Sequence, residues 1–378
     1  MGDFTLLDHE SVRAIANEVE IITVKPDWFC KAIKWLDVSM RLHWLFVFGL
    51  RRWHWLAFQK AVQLKNERNF DAVHQLGPVG FRNPGYLHRL GIPSYWGPIG
   101  GFQYINLRMA FRSSTFYGLV SIVRNISTYF AARSSYVASA VRGFSRLSFA
   151  TETNRRNFAR LFDVEGPVLS DQATTKSASI DTQGTKVAHP PLRVIWCGTI
   201  DARKNIRLLI AVAALLQQRN IPAEITVIGS GGMLNSSIRR SMELQLTNLH
   251  FTGQIPRPEV QTLFQNAHIL CFTSLSEANT STFFEALEAG CIPVALDLDG
   301  FSSNIKDGIG FKIPIESGWS AVVEDYVSKL EYLTKNPDEL AKMANALSAS
   351  LPDYGWGKLS GRHAEILNTL ITDPHHDA

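Results

Sequence analysis

Two glutamates separated by seven residues, Glu277 and Glu285, are the side chains whose type and spacing most clearly indicate chemistry. The apolar run 267–272 before them predicts a strand, and apolar residues at helical spacing after Glu277 predict a helix that ends near Gly290. In such a strand–loop–helix unit, the loop faces the ligand crevice, and the first helical turn offers free N–H groups to an anion. The pattern therefore indicates a ligand site bracketed by two carboxylates.

Each glutamate also has a plainer interpretation. Thr282 and Glu285 have the spacing of a capping box, which would only fix the helix start, and Glu277 fits an ordinary loop acid. Paired carboxylates are also typical of glycoside hydrolases. On one continuous helix, however, these two would lie about 12 Å apart, whereas a retaining hydrolase needs roughly 5 Å between its carboxyl groups. Separate duties along one extended ligand are the simpler arrangement.

The whole segment 274–293, SLSEANTSTFFEALEAGCIP, resembles the signature of the family-4 retaining glycosyltransferases, which have the GT-B fold of two facing Rossmann-like domains. The resemblance implies that Glu277 holds the transferred sugar and that Glu285 accepts hydrogen bonds from the nucleotide ribose. It further implies a diphosphate site on the backbone at the helix start. The residues implied there are Ala278, Asn279, Thr280 and Ser281.

A second loop, 198–205, matches the diphosphate-binding turn of the same family. It follows the apolar strand 192–197 and contains Gly198 and Lys204, the position of the phosphate-contacting lysine. The family usually has an arginine soon after the glycine, where this chain has threonine and isoleucine. Arg203 is a candidate for the missing cation, because a diphosphate leaving group needs its charge neutralised.

The first half offers candidates for the acceptor side. His74 lies near the carboxyl end of the predicted strand 70–76, so we expect it to face the crevice and position the acceptor as a second catalytic residue. After it, a "Trp-Gly-Pro, then Gly-Gly" string resembles a subgroup found in bacterial surface-polysaccharide pathways. The acceptor-side residues of that string are Trp96, Gly97, Gly100 and Gly101.

Residues 34–60 combine tryptophans and phenylalanines with arginines and histidines. A basic, aromatic helix of this kind can lie in the interface of an anionic membrane. A buried or domain-facing helix explains the same residues, because the apolar positions are not confined to one face. Both interpretations stay open at this stage.

The order of elements predicts an α/β fold with two Rossmann-like parallel-sheet domains. We expect an acceptor-side domain at 1–170, a polar linker at 171–190 and a nucleotide-sugar-binding domain at 191–355, with helix 356–372 packing back on the first domain. Residues 11–16 suggest a helix end and 19–24 a strand, so we expect the first domain to lack its first strand and glycine loop. Asp299 and Gly300 are expected to form a turn.

Composition agrees with a folded protein of two cores: 378 residues, 46% hydrophobic, with a formal net charge of +4. That charge is too small to indicate a nucleic-acid partner. Four scattered cysteines suggest buried thiols in a reducing compartment, and no secretory signal or long apolar span is evident. We therefore expect a cytoplasmic protein, at the inner face of the cell membrane if 34–60 binds lipid.

Taken together, the residues and the resemblance predict a retaining, hexosyl-type glycosyltransferase that uses a nucleotide-diphosphate sugar and neither metal nor cofactor. The acceptor would be a hydroxyl of a glycan or lipid-linked glycan in surface polysaccharide synthesis. The alternative is a catalytically degenerate GT-B protein that acts as a membrane-surface or complex partner. The late first strand and the missing arginine motivate that alternative.

Overall fold

The computed structural model describes residues 19–40, 46–175 and 190–372. Within them the chain forms two compact units, one from residues up to Phe70 together with Gly85–Gly91, and the other from Asp71–Pro84 and from Ile92 onward.

The smaller unit is helical. Its helices are α1 (Trp28–Met40), α2 (Phe46–Glu67) and a short 3₁₀ turn (Leu87–Arg89). Gly49 lets α2 approach α1 closely, since a Cβ there would lie 3.0 Å from the Ile33 side chain. Residues 19–24 form no strand, so that prediction is wrong; Val24 instead accepts a hydrogen bond from the Trp53 indole at 3.0 Å. The predicted helix end at 11–16 lies outside the described residues.

The larger unit begins with a three-stranded parallel sheet in the order β1-β2-β3. The strands are β1 (Val73–Gln75), β2 (Ser94–Ile99) and β3 (Arg146–Phe149). Every residue of β2 is buried, as expected for the central strand of a parallel sheet covered on both faces. The helices of this part are α3 (Leu107–Ser113), α4 (Thr115–Ala132), α5 (Ser135–Gly143) and α6 (Glu152–Phe162). The sequence analysis assigned no element to α3 and α4.

A six-stranded parallel sheet follows, in the order β6-β5-β4-β7-β8-β9. Its apolar strands form one continuous core with the helices that alternate with them. The strands are β4 (Leu192–Cys197), β5 (Ala223–Ile228), β6 (Leu249–Gly253), β7 (Ile269–Phe272), β8 (Ile292–Leu296) and β9 (Phe311–Ile313). The helices are α7 (Ile206–Gln218), α8 (Leu234–Glu243), α9 (Arg257–Asn266), α10 (Ser281–Glu288), α11 (Asp299–Asn304), α12 (Trp319–Lys335), α13 (Pro337–Ser350) and α14 (Trp356–Thr372).

The strand-and-helix alternation predicted for the second half is confirmed, with two corrections. Asp299 begins the short helix α11, where a turn was expected, and β9 was not anticipated. The last helix, α14, contacts β2, where the Tyr95 hydroxyl and His363 Nδ1 are 2.9 Å apart. Among the helices of the described residues, none is long and apolar enough to cross a membrane.

Candidate functional site

The candidate site lies where the order of strand addition in the six-stranded sheet reverses. From β4 the chain builds β5 and β6 on one side, and then β7 to β9 on the other, so β4 and β7 are neighbours with diverging connections. The loops 198–205 and 273–280 therefore leave the same edge of the sheet side by side. This is the topological switch point at which open α/β sheets bind ligands. Both loops were predicted from the sequence to belong to the site.

Glu277 joins the two loops through two cations. Its Oε1 lies 2.7 Å from Lys204 Nζ, and the same carboxylate also pairs with the Arg203 guanidinium. Lys204 and Glu277 are nearly enclosed, with side chains 8% and 12% exposed, whereas Arg203 is 34% exposed. Asp201 Oδ2 also lies 4.0 Å from Arg203 Nη2, so two carboxylates balance the two cations. The partly exposed Arg203 guanidinium is accessible to an anionic group at the loop edge.

The loop after β4 is held firmly by hydrogen bonds. The Lys204 N–H donates to Asp201 Oδ1 at 2.8 Å, and the Lys204 carbonyl accepts from Thr273 Oγ1 at 2.7 Å. Thr273 in turn accepts from the Trp196 indole at 3.0 Å. The backbone of Arg203 accepts from Leu275 N at 2.9 Å. These bonds fix both cations relative to the loop that carries Glu277, which is the preorganisation that charge stabilisation requires.

The start of α11 supports the Glu277 loop from the other side. Gly300 N donates to the Glu277 carbonyl at 3.2 Å, and a Cβ on Gly300 would fall 1.5 Å from the Ala278 oxygen, so only glycine fits there. Beside it, Asp299 is 5% exposed with φ of 48°. Burial raises the pKa of the Asp299 carboxyl to about 7, and the Glu277 N–H that it accepts opposes that rise. The sequence analysis missed this acid.

Glu285 does not form the capping box. Helix α10 begins at Ser281, and no side chain caps it, so the Thr282 and Glu285 spacing has no capping role. Glu285 instead pairs with Arg257 at 3.1 Å, with 29% of its side chain exposed. It lies close enough to the end of β4 that its charge adds to burial in raising the pKa of the Cys197 thiol to about 11.

Among the four residues implied at the helix start, Asn279 has its side chain engaged by protein. Its amide donates to the Ala150 carbonyl at 3.3 Å and to Asp171, and its oxygen accepts from Asn304. The Asn279 side chain thus links the Glu277 loop to the end of β3, and the Asn279 backbone lies directly before the N-cap of α10. Thr280 is the N-cap residue, Ser281 is the first residue of α10, and Ala278 lies two residues before the N-cap.

Two residues that the sequence analysis missed reach the same loop from the three-stranded part. Gln103 Nε2 donates to Ser276 Oγ at 3.4 Å, and Arg124 Nη2 donates to it at 3.3 Å. Arg124 belongs to α4. A signal was present: residues 72–151 contain eight arginines and no acidic residue or lysine, so their cations have few local partners.

His74 has contacts within its own sheet. Its Nε2 lies 2.8 Å from the Gly97 carbonyl oxygen, and its ring stacks on Tyr95 with centroids 4.2 Å apart. The His363 ring of α14 lies 5.4 Å away. Burial lowers the pKa of His74. These contacts do not involve the Glu277 loop, and the acceptor-positioning role of His74 stays a prediction.

The four acceptor-side candidates are packed against neighbouring protein atoms. Trp96 is 1% exposed and packs against Phe144, so its burial argues against contact with an acceptor. A Cβ on Gly97 would lie 2.0 Å from Ser148 Oγ. Gly100 bridges to Gly80, and Gly101 has φ of 82°, which favours glycine. The glycines here serve close packing, and their acceptor-side role stays a prediction.

Known proteins resemble this chain over different extents. Residues 180–348 match the model of the glycosyl transferases group 1 family. The phosphatidyl-myo-inositol mannosyltransferase of Mycobacterium tuberculosis is 23% identical over 190 residues, which are 47% of this chain and 47% of that protein. The chain thus spans about half the length of the curated relatives it matches. The match to the glycosyl transferases group 1 model covers less than half of the chain.

Solved structures extend the likeness to the fold of nearly the whole chain. A glycosyltransferase from Rickettsia africae gives a TM-score of 0.59 at 12% identity, over 96% of this chain and 88% of that one. The lipopolysaccharide outer core galactosyltransferase WaaB gives 0.58 at 13%, over 88% and 82%. Anabaena HepE, in complex with UDP and glucose, gives 0.51 at 15%, over 82% and 81%. The protein has the GT-B fold, with two Rossmann-like parallel sheets.

Proposed function

We propose that this protein is a glycosyltransferase that moves a sugar from a nucleotide-diphosphate sugar to a hydroxyl of a glycan or lipid-linked glycan. The observation that carries the proposal is the ion pair of the buried Lys204 and the largely buried Glu277, with Arg203 beside it, at the switch point of the six-stranded sheet. One loop there supplies cations and the other an acid, which matches the two ends of an activated sugar.

The chemistry assigns a distinct task to each group. Lys204 and Arg203 neutralise the diphosphate as the bond between the anomeric carbon and the phosphate oxygen breaks. Glu277 accepts hydrogen bonds from sugar hydroxyls, and Glu285 accepts them from the ribose. The acceptor oxygen forms the new bond to the anomeric carbon, and its proton passes to the departing phosphate. No protein nucleophile is needed for this transfer.

Several finer features belong to the same proposal. Transfer of a hexose with retention follows from the resemblance of the Glu277 and Glu285 segment to the family-4 enzymes. Independence of metal is proposed because two protein cations already serve the diphosphate. A role in surface polysaccharide synthesis, at the cytoplasmic face of the membrane, is supported by the likeness to the galactosyltransferase of the lipopolysaccharide outer core.

Donor binding is the first test. Isothermal titration with UDP-, GDP- and ADP-sugars should identify one donor that binds and raises the unfolding temperature. Glu285→Ala and Lys204→Ala should each weaken that binding by about tenfold or more, because each removes a charge-assisted hydrogen bond. Glu324→Ala is a matched control, since Glu324 also pairs with an arginine, Arg219, on the exposed surface.

Product analysis tests the chemistry. The anomeric configuration of the product, followed by NMR, should match that of the donor, and activity should persist in EDTA. Equal donor affinity in the parent, Glu285→Ala and Lys204→Ala proteins would exclude the proposed site. Absence of both transfer and donor hydrolysis, with the fold intact, would favour the non-catalytic alternative.

A further inference from the structure

Helix α4 exposes its large apolar side chains to solvent, whereas a helix of a folded core usually buries them. Its buried positions are small or polar, namely Gly118, Ser121, Thr128 and Ala132. Its exposed positions repeat at helical spacing and are large and apolar: Phe116 is 76% exposed, Val123 67% and Phe130 67%, with Leu119 and Val120 between them. A continuous exposed apolar stripe of this kind marks a binding surface.

Two arginines, Arg82 and Arg124, border this stripe, and no carboxylate of the described residues pairs with either. Arg82 donates to Thr128 Oγ1 at 2.6 Å, but its Nε is buried without a hydrogen bond in the described part of the chain. Burial and the neighbouring Arg124 charge lower the pKa of Arg82. Among the described residues, neither arginine pairs with an acid within 4.0 Å. The charge of Arg124 opposes the rise in the pKa of the buried Asp299 carboxyl.

The stripe and the arginines meet in one open groove of about 460 Å³. It is lined by Arg82, Leu119, Val120, Val123, Arg124 and Ser127. The groove leads to the candidate site, because the Arg124 guanidinium that lines it also donates to Ser276, next to Glu277. Gln103, which is 5% exposed and donates to the same hydroxyl, has a side-chain oxygen without a partner among the described residues.

We propose that this groove binds a lipid phosphate, the anchor of the acceptor, with the phosphate on Arg82 and Arg124 and the hydrocarbon chain along α4. The proposal rests on the proposed glycosyl transfer, since it names the acceptor class of that same site. The two guanidinium groups donate to hydroxyl groups and to no carboxylate among the described residues, so an anion would complete their hydrogen bonding, and bidentate phosphate binding suits arginine. The apolar stripe requires hydrocarbon beside that anion, and a soluble glycan would supply none.

Vesicle binding tests the proposal without requiring activity. The probes are phosphatidylcholine vesicles that contain a small fraction of a polyprenyl phosphate, the matching polyprenol, or phosphatidylglycerol. The parent protein should sediment with the polyprenyl phosphate vesicles well above the other two. Arg82→Gln with Arg124→Gln should weaken this binding by about tenfold or more, and Leu119→Ser with Val123→Ser should weaken it as well. The unfolding temperature of each variant monitors its fold.

Matched controls lie away from the groove. Arg142→Gln removes an exposed arginine of the same stretch without acidic residues. Met242→Ser removes an apolar side chain from α8, where Met242 is 70% exposed. Both variants should bind the vesicles as the parent protein does. Equal binding to phosphatidylglycerol vesicles would overturn the proposal, because the groove would then be a general binding surface for anionic membranes. Absent binding, or full binding by the double arginine variant, would overturn the proposal.

Donor binding on the same samples separates the two hypotheses. If lipid binding fails while a nucleotide sugar still binds, only the groove is wrong. If the lipid binds but no nucleotide sugar does, the proposed transfer is wrong.

Discussion

Lys204 Nζ lies 2.7 Å from Glu277 Oε1, and this contact ties together the two loops that leave the sheet at its switch point. Both side chains are removed from water, so the pair needs good geometry to offset the cost of desolvation. The Lys204 backbone bonds and the second cation, Arg203, provide that geometry. The pair therefore holds the two loops together and also places the Lys204 charge where a diphosphate would bind.

Replacing Lys204 with methionine should lower the free energy of unfolding by about 1–3 kcal/mol. The loss is smaller than for a completely broken buried pair, because Arg203 remains on Glu277. Urea unfolding measures the change. Lys306→Met is the control, since Lys306 pairs with Asp353 while both side chains are more than 40% exposed, and it should cost less than about 1 kcal/mol. Equal costs would contradict a special role for the Lys204 pair.

The Asp299 carboxyl should make the protein less stable as pH rises. Its pKa rises from 3.8 to about 7 in the folded state, so between these values the unfolded carboxyl loses its proton first and unfolding is favoured. The shift of about three units corresponds to roughly 4 kcal/mol. Asn tolerates the positive φ of this position, so Asp299→Asn should remove the dependence and be the more stable protein above pH 7.

The measurement for Asp299 is the difference in unfolding free energy between parent and variant across that pH range. The difference isolates Asp299 from other titrating groups. A difference that stays constant with pH would show that the carboxyl titrates normally.

Gly300→Ala should displace the loop that carries Glu277. The added methyl would occupy the position of the Ala278 carbonyl oxygen, which is backbone and cannot rotate away. We expect donor affinity to fall by tenfold or more, which corresponds to a loss of about 1.4 kcal/mol or more in binding free energy. Gly357→Ala is the matched control, because its Cβ would meet nothing within 4 Å in helix α14, and it should keep donor affinity. Equal affinity in both variants would refute the close-approach argument.

His363 should affect stability with the opposite pH dependence. Burial lowers its pKa from 6.5 to about 4, so the unfolded state binds the proton first as pH falls through this range, and stability is lost. His363→Gln should reduce that loss, because the packing of α14 on β2 no longer requires a neutral imidazole. His250→Gln, on the exposed side of β6, serves as the control in the same unfolding experiments. Parallel pH profiles for the parent and His363→Gln would contradict the prediction.

Local patterns in the sequence predicted most of the second sheet and its loops. The apolar runs of β4 and β7 had strand length, and the helical spacing after Glu277 gave the end of α10 to within two residues. In the first half, no local pattern indicated an element within 102–133, the segment that contains α3 and α4. Helix α4 shows why: its apolar face is exposed and its buried face is small or polar, so the usual pattern is inverted.

The sequence by itself determined the chemistry of the candidate site, because Glu277, Lys204 and Arg203 lie in loops that follow recognisable strands. Only the tertiary structure decided which partners those groups have. Arg124 meets Ser276 from 152 residues away, Asp299 is buried beside Glu277, and Glu285 pairs with Arg257 and caps nothing. Spacing along a chain sets the local element, whereas contacts between distant segments depend on how sheets and helices pack, and that packing sets burial and charge.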